Sequence, residues 1–188
     1  MYPQPPRRST HAAGGPKNLL VYDRWGRFGR PVLLLHGLLF DRTMWWPVAA
    51  ELATATTCTV LAPDLPGHGD TPPRADHDPD ELAGDLALLV HRLDLHRAPI
   101  VVGHAESAGL AAAFADRFAI HQVLTVDDLG PADGRADIPE HYRPYARRRH
   151  DPALLATYAN WRAQPRTCTF PHLADPAAFA AGLRARLA

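Results

Sequence analysis

Histidine, glutamate and aspartate recur in this sequence beside the glycines that let a backbone turn sharply. Leu33-Leu34-Leu35 runs into His36-Gly37-Leu38-Leu39, a turn able to aim backbone amides at a common point. Asp64-Leu65-Pro66-Gly67-His68-Gly69-Asp70-Thr71 is a second tight turn, one that needs its two glycines. Val101-Val102-Gly103 leads through His104-Ala105-Glu106 to Ser107-Ala108-Gly109, with small residues two places either side of Ala105. Asp127 and Asp128 close an apolar run, and Thr169-Phe170-Pro171-His172 precedes the last helical stretch. Acids and bases grouped around amides can move protons and hold an anion, the requirements of elimination, lyase or cyclisation chemistry. The candidate acids and bases are His36, His104, Glu106, Asp127 and Asp128; the candidate substrate contacts are Gly37, Leu38, Leu39, Ala105 and Glu106.

Each candidate also has a purely structural reading. His36 can fasten its own loop, and His104 can be a core histidine. Glu106 can act as an acid or base if buried, because desolvation raises a carboxyl pKa, or can simply face a helix N-terminus. Asp127 and Asp128 can supply an acid or begin a turn. Ser107 can replace a nucleophile or serve as the small residue at a strand-helix junction. Arg147-Arg148-Arg149-His150 reads as a solvated lid edge or as an anion contact.

The elements that must position these residues alternate. Apolar runs at 19–22, 31–35, 57–62, 99–102 and 122–126 are continuous rather than alternating, the pattern of strands buried on both faces. Helical patterns occupy 43–52, 78–93 and 107–118, the second opened by Asp78 and Pro79. Strand-helix alternation predicts an α/β fold, a doubly wound and mostly parallel sheet with helices on both faces. Residues 1–17, rich in Pro and Gly, predict a flexible tail; 18–188 predict a single domain. Within it, 131–166 predict a reduced cap with one helix at 152–162, and a last helix spans 175–187.

In this order and spacing, the three turns and the segment from Thr169 resemble the α/β-hydrolase superfamily of esterases, epoxide hydrolases and C–C hydrolases. The resemblance implies a nucleophile elbow at 103–107 and an oxyanion hole built from the amides of Leu38 and Glu106. It also implies that the nucleophile slot is Ala105 and the base slot Thr169. A methyl group cannot attack a carbonyl, and loss of the nucleophile in such sites removes on the order of a millionfold in turnover. Because 131–166 is short for a cap plus a strand-helix unit, the sheet is expected to lack a strand at its C-terminal edge. That open edge favours a homo-oligomer.

Composition narrows the partners. The chain has 188 residues, 46% of them hydrophobic, and no formal net charge, so it has no electrostatic footprint for nucleic acid or an anionic membrane. No apolar run approaches the roughly 20 residues of a membrane helix. No ligand spacing typical of metals occurs, and neither metal nor cofactor is expected. The two cysteines, Cys58 and Cys168, are expected to stay unbridged in a reduced, cytoplasmic setting. The function expected is acid/base catalysis without hydrolysis on a small hydrophobic organic ligand, in the manner of secondary metabolism. A non-catalytic ligand- or partner-binding pseudoenzyme and a residual ester or lactone hydrolase are the alternatives.

Overall fold

The computed structural model describes residues 7–54, 58–75, 77–129, 137–148, 151–161 and 169–187. Its strands are β1 (Ser9–Ala13), β2 (Leu20–Trp25), β3 (Arg30–Leu35), β4 (Cys58–Pro63), β5 (Ile100–Gly103) and β6 (Gln122–Thr125). Its α-helices are α1 (Trp46–Thr54), α2 (Pro79–His91), α3 (Ser107–Arg117), α4 (Pro152–Thr157), α5 (Pro171–Ala174) and α6 (Pro176–Arg184). The strands form one six-stranded sheet in the order β1-β2-β4-β3-β5-β6. β1 and β2 are antiparallel to their neighbours, while β4, β3, β5 and β6 run parallel.

Continuous apolar strands bury both faces because successive side chains alternate sides. On β3, Val32 and Leu34 join Val48 and Leu52 of α1 and Phe179 and Leu183 of α6 in one core. Leu33 and Leu35 join Leu82 and Leu86 of α2 and Leu110 and Phe114 of α3 in the other. The predicted doubly wound sheet is therefore present. α2 starts where Asp78 accepts a hydrogen bond from Asp80 N at 2.8 Å, with Pro79 in the first turn.

Two expectations need correction. Residues 9–13, placed in a flexible tail, form β1 along the antiparallel edge of β2. The strand buries little, so apolar content was the wrong guide; its order comes from ladder hydrogen bonds and from Thr10 Oγ1 donating to Asp23 Oδ1 at 2.6 Å. The helix expected at 43–52 is a 3-10 turn, Arg42–Trp45, followed by α1, because Asp41 caps Thr43 N and sets an earlier start.

Among the described residues the parallel side of the sheet ends at β6, and α6 returns to pack on α1. The expected reduced cap contains a 3-10 segment, Glu140–Ala146, then α4 and a further turn, Ala159–Trp161. It is moored on the loop after β4: Tyr158 Oη donates to Pro66 O and Trp161 Nε1 to His77 O, each at 2.7 Å. Cys168, and with it the cysteine-pairing expectation, lies outside the described residues. No helix among them is long and apolar enough to cross a membrane.

Candidate functional site

β5 ends at Gly103 and α3 begins at Ser107, so the chain reverses within three residues, His104, Ala105 and Glu106. Ala105 carries the strain, with φ of 50°, a left-handed conformation that costs an L-residue about 1–2 kcal/mol. Hydrogen bonds hold it there: His104 N to Leu35 O at 3.0 Å, Ser107 N to His104 O at 3.1 Å and Ala108 N to Ala105 O at 3.1 Å. Gly103 is obligatory, since a Cβ there would lie 2.6 Å from Ser107 O and 2.7 Å from Ala108 Cα. The strained elbow is thus complete around a methyl group.

The loop after β3 closes on the elbow. A Cβ on Gly37 would fall 2.7 Å from His104 Nδ1 and 3.2 Å from Ala105 Cβ, so only glycine allows the approach. Leu38, buried, turns its backbone N–H toward the elbow. The group that accepts it is the side chain of Glu106, with Oε2 at 3.2 Å. One of the amides expected to hold an anion is therefore occupied by the protein's own carboxylate. Leu39 is half-buried against both cores.

The histidines and aspartates divide sharply. His36 is fully buried; Nε2 accepts from Leu65 N at 3.0 Å, which leaves Nδ1–H to donate to Gly37 O at 2.9 Å. Both ring nitrogens are engaged by backbone, so it fastens the loops together, and burial and then nearby His68 push its pKa well down. His104 is also buried, donates Nε2–H to Thr169 O at 3.0 Å, and is lowered by burial to about 4. Its ring packs among Phe40, Trp45 and Phe170. It too is packed into the core. Asp128 accepts from Thr125 N at 2.6 Å and Thr125 Oγ1 at 3.0 Å, the contacts of a turn cap. Ser107 Oγ donates to His36 O at 2.5 Å and is buried, the contact of a residue that ties the turn to the loop after β3.

Asp127 and Glu106 remain at the site. Asp127 accepts from Thr169 Oγ1, so the residue in the expected base slot does face the acid after β6. Asp127, Thr169, Ala105 and Gly103 line a crevice of about 10 Å³. That is the space of about one water molecule.

Two features escaped sequence reasoning. Arg42 is buried among three carboxylates: Nε lies 3.2 Å from Asp23 Oδ2, Nη2 2.6 Å from Asp70 Oδ2, and Nη1 contacts Asp64 Oδ2. Burial pulls the Arg42 pKa down, but Asp70, Asp64 and Asp23 outweigh it and raise it; burial raises that of Asp64. No local pattern marks this cluster, since its members lie on β2, the 3-10 turn and the loop after β4. His172 is fully buried beside Trp45, with both ring nitrogens unpartnered among the described residues.

Comparison with known proteins agrees with this geometry. An uncharacterized protein of Mycobacterium bovis (strain ATCC BAA-935 / AF2122/97) is 42% identical over 91 residues, covering 48% of this chain and 26% of that protein. A solved epoxide hydrolase without ligand superposes with a TM-score of 0.56 at 27% identity, over 74% of this chain and 48% of its own. The thioesterase domain from the curacin biosynthetic pathway gives a TM-score of 0.51 at 27% identity, over 58% and 39%. The chain spans about a quarter of the length of the mycobacterial relative. Residues 32–188, the sheet from β3 onward with the elbow and the C-terminal helices, match the alpha/beta hydrolase family, and the chain belongs to it.

Proposed function

We propose that this chain is a non-hydrolytic member of its family that binds a ligand or partner without turning it over. The observation that carries the reading is the hydrogen bond from Leu38 N–H to Glu106 Oε2 at 3.2 Å, which fills the anion site from within. A carboxylate there repels the developing oxyanion that the amides would otherwise stabilise. Ala105 supplies no nucleophile, and Thr169 no base. The epoxide hydrolase and thioesterase likenesses support the scaffold, whereas these residues argue against their chemistry in this chain.

Acid/base catalysis is the second reading, favoured by Asp127 at the crevice and Glu106 beside Ala105. One set of assays separates them. The protein should take no label from a fluorophosphonate probe and should not accelerate hydrolysis of p-nitrophenyl esters or of lactones. Ala105→Ser with Glu106→Ala should stay below the roughly thousandfold over background that an oxyanion hole alone supplies. Wild-type turnover abolished by Glu106→Gln or Asp127→Asn would replace this proposal with the second reading.

A further inference from the structure

The end of the sheet opposite the elbow carries a groove that the family's site does not use. It lies between the C-terminal halves of α2 and α3, beside Pro99 at the entry to β5, and has a volume of about 540 Å³. That is the size range of small-molecule sites. Its walls are mostly apolar: Phe114 from α3, Phe118 just after it, and Leu88 from α2, which is 51% exposed.

Two independent features mark the groove. Gly84, one turn before Leu88 on the same face of α2, has nothing within 4 Å of where a Cβ would stand. Glycine inside a helix is an unfavourable choice, and no packing constraint demands it here. The loop that borders the groove holds Asp94 (φ 53°) and His96 (φ 48°) in the left-handed region, on either side of the groove residue Leu95. Strain of this kind concentrates at ligand sites.

The rim defines the ligand's charge. Asp94 Oδ1 and His96 Nε2 stand 3.0 Å apart on the exposed rim, and Arg97 beside them has no carboxylate partner among the described residues. We infer that the α2–α3 groove binds an amphipathic carboxylate, with its aliphatic or aromatic body along Leu88, Phe114 and Phe118 and its carboxylate on Arg97. A guanidinium matches a carboxylate with two parallel hydrogen bonds, the reason for preferring this anion.

The test is calorimetric titration of the whole chain with sodium octanoate, with 1-octanol as the uncharged control. Octanoate should saturate one site per chain. Gly84→Met, which fills open space on a helix, should keep the thermal midpoint and weaken both ligands by about tenfold or more. Arg97→Gln should weaken octanoate by about tenfold and leave octanol unchanged. The inference fails if octanoate shows no saturable binding, or if neither substitution alters it, which would place the ligand elsewhere. It fails equally if the chain is a dimer that Leu88→Arg dissociates, since a second copy would then occupy the groove.

Discussion

His172 is a residue whose surroundings oppose its chemistry. It lies on α5 with its ring on Trp45 at 4.6 Å between centroids, and both nitrogens lack partners among the described residues. Burial, then the neighbouring His104, pushes its pKa well down, so it is neutral at pH 7. An unsatisfied buried donor and acceptor cost about 1–3 kcal/mol. His172→Leu, of similar volume, should therefore raise stability in urea by about 1–2 kcal/mol, and a loss would reveal a polar partner for the ring. Gly103 behaves oppositely. Gly103→Ala would press a methyl into the backbone of Ser107 and Ala108, and since backbone cannot swing away, a loss of about 1–3 kcal/mol is expected. An unchanged denaturation midpoint would mean that the elbow relaxes freely and is not the rigid turn described above.

The elements around the site are joined by charge as well as by packing. Asp23 on β2 accepts from Trp46 Nε1 of α1 at 2.7 Å and from Thr10 of β1, while also facing Arg42. Asp64, after β4, accepts from Arg42 N at 2.8 Å and Asp70 N at 2.9 Å. Arg42 thus holds together a strand, a 3-10 turn and a loop that hydrophobic contact alone leaves unregistered. Removing one member of a buried ionic cluster strands the others, typically at about 3–5 kcal/mol. Arg42→Met should unfold the chain at markedly lower denaturant for that reason, and a loss under about 1 kcal/mol, the range of a surface pair, would show the carboxylates to be solvated.

For the whole molecule, these buried histidines set the response to acid. The folded-state pKa of His104 is lowered to about 4 from 6.5, and those of His36 and His172 move in the same direction. The unfolded chain therefore binds protons first as pH falls, so stability is full above about pH 6.5 and declines below it, the His104 contribution being lost down to about 4. His104 alone accounts for a loss on the order of 3 kcal/mol across that window. Asp64, raised by burial, works the other way and offsets part of it. A thermal midpoint that drops between pH 6.5 and 4.5, and drops less in His172→Leu, is the expected result. A flat profile would contradict the burial of these rings as neutral groups.

What the sequence determined by itself was the frame. Continuous apolar strands, capped helices and glycine turns are local or periodic signals, so the sheet from β2 to β6, the capped start of α2 and the sharp turn at Ala105 were legible. β1 was not, because a strand held by ladder hydrogen bonds carries no apolar signature. Tertiary structure alone decided which polar residues reach the site. Burial engaged His36 and His104 with backbone carbonyls and amides, and a turn claimed Asp128. It also brought Glu106 onto the Leu38 amide across 68 residues and drew Arg42 to Asp64 and Asp70. Such contacts depend on how loops from different strands converge at one end of the sheet, and no spacing along the chain encodes that convergence.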